Sequence, residues 1–337
     1  MPTDRSPSAS SSPTARCGAT SSPPQVAKVA ETLDEFRGRY RYNLMDANIR
    51  GMYADVPVIS QWDDHETHNN WYPGQVLDDA RYTQEKRVDV LATRARQAFF
   101  DFMPIADRHG RGLPDLGRAP QMYRTVERGS HLDVFCLDMR TYRHANTPGL
   151  ETHRTAFLGT RQVEWLLDSL QRSRATWKVV AADMPIGIIV PDGKNIEAIA
   201  NGEQGTPLGR ELELAYLLSE IKRRKIRNVV WLTADVHYCA AHYYDPARAR
   251  FTDFDGFYEF VAGPISAGAF GPGTMDATFG PQVLFQGVPR YQNQSPRDQK
   301  AMFFGYVEID RAGTFSVSLR NGLGETVWSK DLQPAPC

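Results

Sequence analysis

The sequence predicts an α/β fold with a second, antiparallel sheet towards its end. Three observations carry this. Strand-like and helix-like segments alternate through the middle of the chain, the pattern of a sheet covered by helices. The last stretch is a meander of strands punctuated by Arg311-Ala312-Gly313 and Asn321-Gly322, residue pairs and triplets typical of hairpin turns. The composition is that of a folded globular protein, 41% apolar and 23% charged over 337 residues, enough for one large core or two domains.

The elements follow in order. Residues 1–25 are rich in Ser, Thr and Pro and read as a disordered tail. Val26 to Phe36 has helical spacing, and Tyr40 to Arg50 reads as a second helix. Val56-Pro57-Val58-Ile59-Ser60 is a short β-branched strand, and Trp62 to Tyr72 follows it as a loop. Asp78 to Phe102 reads as one long amphipathic helix with Val88, Leu91, Ala95 and Phe99 on one face, stopped by Pro104. Leu132 to Asp138 is a buried-type strand. Gly159 to Leu167 starts a helix, with Thr160 as its cap. Trp177 to Ala182 is the next strand, Leu208 to Arg224 a helix, and Asn228 to Thr233 a strand. Tyr258–Ala262, Phe303–Ile309, Thr314–Leu319 and Thr326–Leu332 complete the strands, and Gly263 to Asn293 reads as a long loop. The domain therefore spans 26–332, with 333–337 as a C-terminal tail.

Bulk properties exclude several classes. The net charge of -1 gives no basic stripe, so nucleic acid is not expected. The four cysteines, Cys17, Cys136, Cys239 and Cys337, show no zinc-like spacing. No apolar run is long enough to span a membrane. The N-terminal stretch has neither an apolar signal core nor a twin arginine.

The chemistry concentrates in two places. One is Trp62-Asp63-Asp64-His65-Glu66-Thr67-His68-Asn69-Asn70-Trp71, and the other Thr233-Ala234-Asp235-Val236-His237. Both place hard metal ligands directly after an apolar segment. Asp183 stands in the same position after Ala181-Ala182. Ligands on loops at the carboxyl ends of parallel strands converge in one crevice, and on a continuing strand Asp235 and His237 would share a face. Carboxylates suit hard cations and imidazole suits iron or zinc. Arg124, Arg140 and Arg143 could line a phosphate pocket, and Tyr123, Trp71 and Tyr72 could wall it.

Trp62-Asp63-Asp64-His65-Glu66 with Asn69-Asn70-Trp71 resembles the WDDHE…NNW signature of PhoD-type alkaline phosphatases, within the calcineurin-like metallophosphoesterases. Leu158-Gly159, Gln162 and Trp165-Leu166 resemble that family's LGxxQxxWL helix start, and Leu232 to His237 its TGDVH element. The resemblance covers Val26 to Leu332. It implies a β-sandwich of mixed sheets flanked by helices. It also implies hydrolysis of phosphate mono- or diesters through a metal-activated hydroxide, with ferric iron paired with calcium. Carried over, Asp235 and His237 bind metal and Asp183 is a second-metal ligand. Asp64, or else Asn69 or Asn70, supplies the ligand of the signature. His65 contacts phosphate or protonates the leaving group. The family resemblance points to export, to the periplasm or cell surface.

Two departures stand out. Ala234 replaces the expected glycine, which is costly only if φ is positive there. The family's upstream ligands, a Cys and a Gly-Asp-x-x-Tyr element, have no counterpart before Trp62. The expectation is thus an N-terminally incomplete member, through truncation or a misplaced start codon, that binds metal poorly and turns over little. A non-catalytic binding module, or a phospholipase or nucleotidase on the same scaffold, are the alternatives.

Overall fold

A computed structural model describes residues 23–105 and 121–335. The proposed tail therefore lies outside the described residues up to position 22, as do Cys17, Cys337 and the last two residues of the C-terminal tail. The helices are α1 (Leu33–Asn43), α2 (Ala47–Asp55), α3 (Val88–Phe102), α4 (Thr160–Arg172) and α5 (Glu211–Arg223). The strands are β1 (Arg124–Glu127), β2 (Leu132–Cys136), β3 (Trp177–Ala181), β4 (Pro191–Asp192), β5 (Asn195–Ile196), β6 (Val229–Thr233), β7 (Cys239–Tyr244), β8 (Phe257–Val261), β9 (Pro281–Gly287), β10 (Phe303–Ile309), β11 (Phe315–Asn321) and β12 (Thr326–Leu332).

Seven strands form a mixed sheet in the order β1-β2-β3-β6-β8-β7-β9. Its centre, β2-β3-β6-β8, is parallel. β10-β11-β12 form a separate antiparallel sheet. The period-2 side-chain alternation of the central strands explains the layering. Val179 and Val230 face the three-stranded sheet, meeting Phe315, Val317 and Leu319. Their neighbours Val180 and Trp231 face α4 and α5, meeting Leu166, Leu170, Leu214 and Leu217. The result is the expected sandwich with helices on its outer face. A third core beside it holds Phe36, Trp62, Trp71, Val88, Leu91 and Phe99, joining α1 and α3 to the acidic loop.

Several expected elements shift. The first helix begins at Leu33, because Thr32 and Glu35 form a reciprocal capping box there. The long helix begins only at Val88. Residues 78–87 are turns, where Asp79 and Glu85 each bind their own backbone two residues on. The helix after Gly159 has Gly159 itself as N-cap, at φ 79°, not Thr160. Val56 to Ser60 is not a strand. β1 occupies the sheet edge beside β2, so this segment pairs with no strand among the described residues, and Val56, Val58 and Ile59 are left exposed. The expected loop 263–293 contains β9, and β1 and β7 are additional strands.

Candidate metal centre

β3 and β6 are parallel neighbours, so their following residues emerge at one end of the sheet. Asp183 follows β3 and Asp235 follows β6, and the two loops are tied by a hydrogen bond from Ala234 N–H to the Asp183 carbonyl at 3.1 Å. The acidic loop reaches the same end without a strand of its own. Gln61 substitutes for one: its Nε2 donates to the carbonyls of Leu137 and Ala181, at 2.9 and 3.1 Å, just past β2 and at the end of β3. The buried rings of Trp62 and Trp71 pack edge-on at 5.6 Å and pin both ends of the loop. Trp62 Nε1 also donates to Asp138 Oδ1 at 3.1 Å.

Together these elements bring one carboxylate oxygen each from Asp63, Asp64 and Asp235 within 4.8 Å of one another. Asp183 is buried beside them, and neither of its oxygens has a hydrogen-bond partner. Arg140, fully buried, donates Nε and Nη2 to Asp63 Oδ1 at 2.8 and 2.6 Å. It also pairs with Glu197 and lies 3.5 Å from Asp183.

The electrostatics follow from this crowding. Burial pushes Asp183 well above the usual carboxylate range, and the neighbouring charge of Asp63 pushes it further. Asp235 is raised for the same two reasons. Burial works most strongly against ionisation of Asp63, but the charge of Arg140 together with the hydrogen bonds around the carboxyl leaves it below its ordinary value. Carboxyls raised by burial and by a neighbouring carboxylate are what a bound cation relieves. The carboxylates of Asp63, Asp64 and Asp235, with Asp183 beside them, therefore fit a hard, oxygen-preferring ion.

The remaining predicted residues divide. His237 follows Asp235, and its Nδ1 lies 2.6 Å from the Gly268 carbonyl, which orients the ring. The two residues do not sit on a continuing strand. β6 ends at Thr233, and both adopt left-handed backbone, at φ 62° and 60°. Ala234 does not, so the missing glycine costs nothing there. Asn70 is spent on structure: its N–H caps Asp64 Oδ2 at 2.8 Å, and its side chain donates to Asp192 at 3.2 Å. His65 and Asn69 are exposed and line a cleft of about 410 Å³ between the loop and α1. They are not part of the carboxylate group. Trp71 and Tyr123 are core residues rather than cleft walls. Arg143 stacks on Phe157 at 4.6 Å and binds Asn146, and Arg124 binds backbone carbonyls.

Sequence reasoning singled out Asp64 and passed over its neighbour Asp63 as a ligand. It also missed Glu197, which nothing near it in sequence flags. Gln162, quoted as a motif residue, takes a structural role here: it bonds the Asp138 N–H and carbonyl at 2.7 and 2.8 Å, locking the end of β2 to α4.

A family model described as PhoD-like phosphatase matches residues 5–322. The chain belongs to the PhoD-like phosphatase family. Alkaline phosphatase D of Bacillus subtilis (strain 168) is 30% identical over 222 residues, which are 61% of this chain and 35% of that protein. The matched segment thus spans about a third of the length of this relative. A solved structure titled "Structure of PhoD" superposes with a TM-score of 0.58 at 21% identity, covering 90% of this chain and 61% of that one. At that identity the match speaks for the fold.

Proposed function

We propose that this PhoD-like chain carries a cation-assisted site for hydrolysing phosphate mono- or diesters. The observation that supports it most is the convergence of the Asp63, Asp64 and Asp235 carboxylates, with buried Asp183 beside them lacking a hydrogen-bond donor. Held there, a cation would polarise a water for attack at neutral pH and neutralise phosphate oxygens. The all-oxygen core suits calcium, and His237 is the side chain that would favour an iron ion. Arg140 keeps Asp63 ionised and fixed in place. His65, on the same loop but facing the cleft beside α1, would act as leaving-group acid only for a substrate long enough to span both.

The alternative is a non-catalytic cation-binding module. Elemental analysis of the purified chain, with p-nitrophenyl phosphate and bis-p-nitrophenyl phosphate as substrates, tests both. Bound calcium or iron with even slow hydrolysis lost on chelation supports the enzyme. Bound metal without hydrolysis supports the module. A chain that takes up no metal and hydrolyses neither ester sinks the proposal.

A further inference from the structure

Three buried side chains outside the carboxylate group grip the segment that carries Asp183. Glu259 on β8 and His242 on β7 are cross-strand partners, and Tyr244 lies two residues further along β7. Each is at most 1% exposed. Glu259 Oε1 accepts the Ile186 N–H at 2.8 Å. Its Oε2 accepts the Tyr244 hydroxyl at 2.8 Å and lies 2.9 Å from His242 Nδ1. The Tyr244 oxygen in turn accepts the Gly187 N–H at 2.8 Å.

Two consecutive backbone N–H groups, shortly after Asp183, are therefore held by side chains from another part of the sheet. The fit is close: a Cβ on residue 187 would stand 2.8 Å from the Tyr244 oxygen, so glycine is needed there. On its other side the Asp183 carbonyl is held by Ala234 N–H. Asp183 thus sits on a short span fixed at both ends, while its carboxyl has no hydrogen-bond partner and only the 3.5 Å ion pair with Arg140. Burying a carboxyl, an imidazole and a phenol is unfavourable compared with an apolar core. An apolar trio could fill the space but could not hold those two N–H groups.

We infer that Glu259, Tyr244 and His242 form a positioning unit that sets Asp183 within the cation site. The unit acts through the backbone, as outer-shell partners of metal ligands do, and it rests on the reading of Asp183 as a cation ligand.

The test is calcium titration by calorimetry of the full chain, its Y244F and E259Q variants, D183N, and a folding control, L170A, which opens a cavity in the α4 core. Y244F is expected to weaken calcium binding about tenfold or more, in the range of outer-shell losses, with E259Q following it. L170A is expected to lower Tm at least as far and to leave calcium affinity unchanged. Equal affinity in Y244F and the parent chain, with D183N impaired, overturns this inference alone. So does an affinity that falls in step with Tm in all variants, since that marks a merely structural role. A parent chain that binds no calcium overturns both this inference and the calcium-based form of the proposed function.

Discussion

Two sets of buried carboxylates in this protein have opposite surroundings. At the start of α5, Glu213 accepts the backbone N–H groups of Phe157, Leu158 and Gly159 at 2.9, 2.6 and 3.1 Å. Glu211 accepts from Asn201, backbone and side chain, and from Leu208. At the strand ends, Asp183 has no hydrogen-bond donor, and Asp235 is surrounded by other acids. Burial alone separates neither set, since both are desolvated. The donor inventory does. A saturated carboxylate is part of the scaffold, whereas an unsaturated group among like charges stores unfavourable energy that a ligand can release.

The largest effect expected from this contrast is at Glu213. Glu213→Ala strands three backbone donors where the chain enters α4, and each buried unpaired group costs about 1–3 kcal/mol. The total should be about 3–6 kcal/mol, lowering Tm by on the order of 10 °C. A thermal melt of the variant within a degree or two of the parent would dissolve the distinction between the two sets.

Glu211 sharpens the comparison through pH. Burial, then the charge of Asp276, raises its carboxyl from the usual 4.5 to about 8. Between those values the folded chain holds a proton that the unfolded chain has released. Stability therefore falls as pH rises through this window, by up to about 1.4 kcal/mol per unit. Urea midpoints measured from pH 5 to 8 should decline more steeply in the parent than in Glu211→Gln. Parallel curves would place the titration elsewhere.

Ligand binding probes the unsaturated set. Calcium at about a hundred times its Kd should stabilise the chain by about 2.7 kcal/mol, and the increment should vanish in Asp235→Asn. An undiminished shift in that variant would move the ion to another site.

The two sets were unequally legible in the sequence. Asp63 to Asn70 and Asp235 to His237 announce themselves as dense runs of ligand-type residues, and β3, β6 and β10 to β12 follow from alternation and turn residues. What escaped depends on tertiary pairing. Val56 to Ser60 has the residues of a strand but no neighbour to pair with. β7 begins directly after the bent Asp235–Tyr238 segment, where Asp235 and His237 are left-handed; Asp and His favour that region more than most residues, but too weakly to mark a bend. Glu197 and Glu259 reach their partners, Arg140 and Tyr244, from distant positions. Glu213, within a helix rich in glutamate, looks like a solvated helix-start acid until its three donors are seen.

The smallest effect discriminates best. Asp183→Asn keeps the shape of the side chain but removes a charge that burial and Asp63 already disfavour. The amide can also donate a hydrogen bond where the carboxylate could only accept. In calcium-free solution the variant should therefore be as stable as the parent or more so, by about 1 kcal/mol, as is common where a functional site is kept at the expense of stability. Calcium stabilisation should at the same time be reduced or lost. A structural carboxylate of the Glu213 kind predicts the reverse sign, because breaking a saturated network is destabilising. Chemical denaturation of Asp183→Asn with and without calcium thus asks directly whether this carboxyl is held for the fold or for a ligand, and a loss of more than about 2 kcal/mol without calcium would assign it to the fold.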